Sequence, residues 1–328
     1  VEADPHLDSN CDPEAYKLTL QHMLSKKPDF IVDLGDNTMN DKLPVINKAA
    51  IIDRTLLFRK YFNELTHSAP LYVTLGNHEG ELGWLPNTNE SSLPTMAALI
   101  RKTYFPNPYP NPFYSGNTVS EPMVGIRENY YAWEWGDALF VVIDPYMYTK
   151  TKPEWGWSLG LEQYNWLKKT LSESKATFKF VLGHHVMGSC RGAVEWATLF
   201  EWGGKTRNGE AQFKRFRPTW EMPIHDLFVK YGVTAFVQGH DHLFARQNLD
   251  GVTYITCPMS GDPGYNTYNS DAYQSGDKLS NTGHLKFSVQ PKKVTMDYIK
   301  AVLPKDEISQ GVNGRTAYSY EFNTLKNA

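Results

Sequence analysis

Short apolar runs alternate with amphipathic stretches through most of this chain, and each kind predicts one element. From Asp12 to Lys26, Tyr16, Leu20, Met23 and Leu24 fall on one helical face, with Asp12 placed to cap and Pro13 suited to the first turn. Phe30 to Leu34 is a short apolar run that predicts a buried strand. A helix is expected from Ile46 to Phe62 and a strand from Leu71 to Leu75. Strand and helix in alternation predict a layered α/β fold with crossover connections. Residues 80–130 break the pattern: Pro86, Pro94, Pro106, Pro108, Pro110 and Pro112 mark a long insertion with one helical run, Leu93 to Thr103. Tyr130 to Trp135 and Ala138 to Asp144 then read as paired strands, Leu161 to Leu171 as a helix and Phe178 to Leu182 as a strand. An irregular stretch runs from Val186 to about Thr219, before a helix at Trp220 to Tyr231 and a strand at Val233 to Val237.

The last quarter changes character. Val252 to Thr256, Leu285 to Val289, Val294 to Ile299 and Ala317 to Phe322 read as strands with few helices between them, and are expected to complete a second sheet. Between them, Asp262 to Ser280 reads as a polar loop. No repeat, low-complexity tract or linker divides the chain. One domain is therefore expected over residues 1–328, with insertions at about 80–130, 186–219 and 262–280.

Composition narrows the class only a little. A chain of 328 residues buries a substantial core, and 41% hydrophobic with 21% charged residues is ordinary for a globular protein. Nothing approaches eighteen consecutive apolar residues, so no membrane span is expected. The net charge of −3 argues against a broad nucleic-acid-binding surface and leaves room for a local positive pocket. Cys11, Cys190 and Cys257 allow one disulfide at most, show no metal-ligand spacing and read as small buried residues. Nine Trp, nineteen Tyr and loops rich in Asn, Pro and Gly tilt the reading toward a secreted or periplasmic protein.

The chemistry sits where the predicted strands end. Five motifs occupy those ends: Asp4-Pro5-His6, Gly35-Asp36, Gly76-Asn77-His78-Glu79, Gly183-His184-His185 and Gly239-His240-Asp241-His242. Six of the ten histidines lie inside them, whereas His22, His67, His225 and His284 lie outside and carry no assigned role. Loops leaving the carboxyl ends of neighbouring strands converge at one edge of a sheet, so residues as distant as Asp4 and His242 can meet. Imidazoles, carboxylates and one carboxamide oxygen suit two borderline-to-hard ions. The absence of a thiolate argues against a Cys-rich structural zinc site.

In that order and composition the motifs resemble the calcineurin-like metallophosphoesterase superfamily, whose pattern is D-x-H, G-D, G-N-H-[DE], G-H and G-H-x-H. The likeness spans about 240 of the 328 residues. Gly-Asp and Gly-His alone say little; Gly-Asn-His-Glu followed by Gly-His-Asp-His is specific. The resemblance implies a four-layer α/β/β/α sandwich of two mixed sheets flanked by helices, with the metal pair at one edge. It implies Asp4, His6, Asp36 and His242 on one ion, and Asp36, Asn77, His184 and His240 on the other, with Asp36 bridging. Manganese, iron, zinc or similar ions all suit the set. His78 is then a catalytic group that protonates the leaving oxygen or stabilises developing charge. Glu79 and His185 either support ligands or face substrate, and Arg191 either clamps a phosphate oxygen or is an ordinary surface arginine.

The expected activity is phosphoester hydrolysis, by metal-bound hydroxide attacking phosphorus in line. Two divalent ions against two carboxylates leave about two positive charges, which attract a phosphate and lower the pKa of bound water to roughly 7. A small mono- or diester is the expected substrate.

Departures from the pattern shape the rest. Only Val1 to Ala3 precede Asp4, so either the first strand is very short or residues upstream belong to it. Pro5 stiffens the turn between Asp4 and His6. Gly35 to Met39 and the Gly-His-Asp-His motif resemble the purple acid phosphatase branch, but Met39 stands where that branch has a metal-binding Tyr, so an iron–tyrosinate centre is not expected. The Asp-Arg pair of the protein Ser/Thr phosphatase branch is absent after Asp36. Two alternatives stay open: a nuclease or nucleotide pyrophosphatase, which a basic groove would favour, and a non-catalytic protein-binding scaffold, against which Asn77 and His78 both speak. Asp33 and Asp144 end strands and read as turn residues before ligand-orienting ones. Trp155 and Trp157 read as loop packing before a leaving-group platform.

Overall fold

Asp12 begins the first helix as expected: its Oδ1 accepts the N–H groups of Glu14 and Ala15, and α1 runs Pro13–Ser25. The second helix, α2 (Lys48–Thr66), starts two residues after its predicted position because the Asn47 side chain, accepting from Ala50 N–H, takes the capping place. Helices α3 (Leu93–Tyr104) and α4 (Gly160–Glu173) match their runs. In this computed structural model residues 1–81, 89–146, 154–187 and 190–323 are described; Pro86 of the first insertion lies outside them.

The strands in chain order are β1 (Ile31–Asp33), β2 (Leu71–Val73), β3 (Ser115–Gly116), β4 (Ser120–Glu121), β5 (Gly125–Ile126), β6 (Tyr131–Trp135), β7 (Ala138–Val142), β8 (Phe178–Leu182) and β9 (Ala235–Gln238). They continue with β10 (Phe244–Leu249), β11 (Val252–Thr256), β12 (Asp277–Leu279), β13 (Gly283–Gln290), β14 (Lys293–Lys300) and β15 (Thr316–Asn323). Eight of them form one mixed sheet in the order β12-β10-β11-β9-β8-β7-β6-β3, with the central strands β11, β9, β8 and β7 parallel.

A second mixed sheet is stitched together by the first three residues. Strands β1 and β2 pair in parallel, and β13, β14 and β15 antiparallel. Between them, Glu2 bridges Asp33, while Val1 and Leu285 exchange both backbone hydrogen bonds, at 2.8 and 2.9 Å. Val1 to Ala3 thus act as the strand leading into Asp4.

Three apolar clusters fill the three interfaces of a four-layer α/β/β/α sandwich. Tyr16, Leu20, Phe58 and Phe62 of the first two helices pack on Ile31. Val32, Trp133, Phe140, Phe180, Leu285 and Tyr298 form the layer between the sheets. Leu139, Val141 and Phe236 pack under Leu167, Leu171 and Phe228 on the far side. Along β7 the residues alternate between these last two layers, so all five are buried. Each such side chain contributes roughly 1.5–3 kcal/mol.

Three expectations need correction. Val252–Thr256 does not join the second sheet: as β11 it pairs in parallel with β9. Asp250 and Gly251, both with left-handed φ (47° and 86°), form the tight turn that folds it back on β10. The strand β10 itself was not expected, nor was β12, an edge strand inside the polar stretch 262–280. The helix predicted from Trp220 runs only Ile224–Lys230, since Pro223 takes the capping position. The first insertion is fastened by buried charge: Glu81 accepts from Arg101 Nε at 2.6 Å and meets Arg127 Nη2 at 3.4 Å, which also lies 3.5 Å from Asp144 at the end of β7.

Candidate metal centre

Each ligand predicted from sequence follows a strand end at one edge of the sandwich. Five of them bend the backbone into the left-handed region: Asp4 (54°), His6 (49°), Asp36 (58°), His240 (71°) and His242 (53°). Asp and His tolerate this conformation better than most residues, though it still costs roughly 1–3 kcal/mol apiece. Two motif glycines follow from packing. A Cβ on Gly76 would collide with Asp36 Oδ1 and its N–H, and one on Gly239 would lie 2.6 Å from Asp4 Oδ2.

The side chains gather in two adjoining groups, Asp4 with His6 and His242, and Asp36 with His184 and His240. Asp4 Oδ1 lies 3.4 Å from His242 Nε2, 3.8 Å from His6 Nε2 and 3.9 Å from His184 Nε2. His184 Nε2 lies 3.0 Å from Asp36 Oδ2 and 3.2 Å from His240 Nδ1. Among the described residues, Asp4 Oδ1, both ring nitrogens of His6, Asn77 Oδ1 and His240 Nε2 are buried without a hydrogen-bond partner. Each such orphan costs about 1–3 kcal/mol. Donors of this kind, converging from five loops, fit a pair of cations.

The electrostatics agree. Burial opposes ionisation of Asp4, but the imidazoles of His242 and His6 outweigh it and hold the carboxyl well below its usual range. For Asp36 burial is likewise overcome, chiefly by His184. In return, and against the same burial, Asp4 and Asp8 push His6 up to about 10, and Asp36 pushes His184 up to about 9. The carboxylates draw positive charge into the site.

A second layer of hydrogen bonds fixes the ligands. His184 Nδ1 pairs with Leu34 O at 2.8 Å, which turns Nε2 toward Asp36. Asp4 Oδ2 accepts from His240 N–H at 2.7 Å, and Asp36 Oδ1 from His78 N–H at 2.8 Å. Glu79 accepts from the N–H groups of Asn37 (2.6 Å), Asp36 (3.1 Å) and Gly76. Arg54 on α2 gives its guanidinium to three carbonyls, those of Thr38, Leu7 and His6, and so clamps the first two ligand loops together.

Residues 1–244 match the sequence model of the calcineurin-like phosphoesterases. The chain belongs to the calcineurin-like phosphoesterase family. By family it is a phosphoester hydrolase. It is 27% identical over 290 residues to mouse tartrate-resistant acid phosphatase type 5, covering 83% of this chain and 75% of the mouse protein. In fold it is similar to PhoD (TM-score 0.63, 16% identity, 94% of this chain and 67% of that one). It is also similar to the purple acid phosphatase PPD1 of yellow lupin (TM-score 0.60, 16% identity, 98% of this chain). The chain spans about half, 52%, of the lupin chain's length.

His78 follows Asn77 and lies outside both candidate ligand groups. Here His78 is partly exposed, and its Nδ1 lies 2.9 Å from both carboxylate oxygens of Asp41, leaving Nε2 free for another partner. Its ring stands edge-on to His6, 6.3 Å between centroids. Neither Asp41 nor Arg54 was singled out from sequence. Asp41 lies in the short turn Asn40–Lys42 and Arg54 flanks the buried face of α2, and no motif marks either.

The remaining candidates lie around this core. His185 is fully buried, pairs through Nε2 with Tyr146 OH at 2.7 Å and packs edge-on to His240 at 4.6 Å, which fits support from behind. Arg191 Nη1 donates to the His240 carbonyl and lies 3.3 Å from Asp241 Oδ1, bracing the loop of two ligands. Asp33 accepts from Gly35 N–H and Asn37 Nδ2, and Asp144 from Tyr146 N–H, so both serve turns. Trp155 stacks on Phe216 and Trp157 packs against Tyr146, both as loop packing. Met39 is buried in the place of the purple branch's Tyr. Cys11, Cys190 and Cys257 are buried thiols. A cavity of about 570 Å³ elsewhere in the fold is lined by Phe30, Trp135 and Phe287, apart from the candidate ligands.

Proposed function

We propose that the chain hydrolyses small phosphate esters at a pair of metal ions. Asp4, His6, Asp36 and His242 hold one, and Asp36, Asn77, His184 and His240 the other. The observation that carries this reading is the convergence of five buried, unpartnered donor atoms with His78 beside them. Bound ions supply the Lewis acidity that activates water and offsets charge on the phosphoryl oxygens. The chain does the rest. Asp41 holds the His78 ring by Nδ1 and leaves Nε2 facing outward, where the imidazolium form would give its Nε2 proton to the departing alkoxide. Arg54 and Glu79 keep the ligand loops from spreading. Tyr268, exposed and 6.0 Å from the His242 ring, offers an aromatic edge to the leaving group.

No helix among the described residues is long and apolar enough to cross a membrane. A secreted or periplasmic setting belongs to the same proposal, supported by the aromatic- and Asn-rich loops. Metal analysis of purified protein, joined to turnover of matched aryl phosphate mono- and diesters, tests the reading. Two equivalents of metal are expected, and His78→Ala keeps them while losing roughly 10²–10⁴ in rate. A variant as fast as the parent would remove His78 from the mechanism.

A further inference from the structure

Behind the loop that carries Asp36 and Asp41, between it and the helices α2 and α3, lies a cavity of about 30 Å³. Four of its lining residues each present a buried polar atom with no hydrogen-bond partner among the described residues: Asn37 Oδ1, Thr38 Oγ1, Asn40 Oδ1 and Arg101 Nη1. Their identities are fixed by what their neighbours do. Asn37 Nδ2 donates to Asp33 Oδ1 at 2.5 Å and Asn40 Nδ2 to Glu79 O at 2.8 Å, so in both amides the oxygen is left over. Arg101 commits Nε and Nη2 to Glu81, at 2.6 and 3.3 Å, and Nη1 remains. Native proteins rarely leave such atoms unpaired. Two acceptors, one donor and one hydroxyl line a single small space, the complement of one water molecule's two donors and two lone pairs.

We propose that this cavity is a binding site for internal water. One molecule donates to Asn37 Oδ1 and Asn40 Oδ1 and accepts from Arg101 Nη1 and the Thr38 hydroxyl. Water needs roughly 10–15 Å³ of such space, so the cavity takes one molecule and at most a second. The competing occupants fail on charge. An anion would face two amide oxygens beside Glu79 and Glu81, and a metal cation would face the Arg101 guanidinium. The water ties α3 to the loop between Asp36 and Asp41, whatever ester the centre turns over.

Thr38→Val is the sharpest test, because Thr38 Oγ1 has no other partner and the exchange keeps the side chain's shape. If the hydroxyl holds water, the metal-loaded variant melts about 1–3 °C lower than the parent, the scale of one lost hydrogen bond in a protein of this size. If the cavity is dry, removing an unpaired hydroxyl leaves the melting temperature unchanged or raises it, and the proposal fails. High-resolution crystal structures of both proteins supply the second reading. Density for water within hydrogen-bond distance of at least three of the four atoms, lost or displaced in the variant, is expected. An empty cavity, direct pairing among the four side chains or a peak with the anomalous signal of an ion would overturn it.

Discussion

Asp41 offers the most searching test of the proposed chemistry. Its two oxygens lie 2.9 Å from His78 Nδ1, with the side chains 33% and 20% exposed, so solvent screens the pair but does not dissolve it. A hydrogen bond to a charged group contributes about 1.5–3 kcal/mol and a neutral one about 0.5–1.5; partial exposure puts this one at the low end. Asp41→Asn keeps an acceptor and loses the charge, about 1 kcal/mol, which is roughly fivefold in rate. Asp41→Ala loses both, about 2 kcal/mol or roughly thirtyfold. The assay is kcat at constant metal content on phenyl phosphate and on nitrophenyl phosphate. A poor leaving group needs the proton that His78 carries and a good one hardly does, so both losses should be seen with the first substrate and nearly vanish with the second. Equal losses on the two esters, or losses that follow metal content, would refute the idea that Asp41 works through His78.

Two further outcomes follow from the geometry. Arg54→Met removes three hydrogen bonds from the carbonyls of His6, Leu7 and Thr38, on the order of 2–4 kcal/mol together. Metal titration should show the ion held by Asp4, His6 and His242 released first, and equal weakening of both ions would contradict the clamp. Lys300, pushed down to about 7 by burial, donates to carbonyl and hydroxyl oxygens of Ser280 and Asn281 and sits over the Tyr265 and Tyr298 rings. Between about pH 7 and its unfolded value the unfolded chain binds the proton that the folded chain has lost, so stability gained through this group rises with pH across that window. In urea unfolding, Lys300→Met should therefore hold its greatest advantage over the parent below pH 7 and lose it progressively as the pH rises toward 10.5. A gap that stays constant with pH would show that Lys300 keeps its ordinary affinity for protons.

The seven proposed ligands could be picked out together because metal chemistry restricts residue type and a strand end restricts position, and both leave marks in a single chain. Asp41 and Arg54 left none. Many residue types are tolerated in a short turn or at the margin of a helix's buried face, and only the folded chain shows that Asp41 meets His78 and that Arg54 reaches the carbonyls of the ligand loops. Sheet membership failed for a different reason. Val252–Thr256 is buried on both faces, so its apolar run says strand without saying which sheet. The Asp250-Gly251 turn and the pairing with β9 decide that. Strand β12 was hidden because an edge strand of three residues, Asp277–Leu279, has no alternation long enough to read.

Left-handed backbone at Asp4, His6, Asp36, His240 and His242 has one more consequence. At the proposed centre, part of the attraction between donors and ions would go into holding those bends, so the same seven donors on relaxed backbone would grip more tightly. Chelation relieves that tension at the loop tips while the layers beneath stay packed. Loss of the ions is therefore a local loosening of one edge, and the rigid sandwich is ready to take them back.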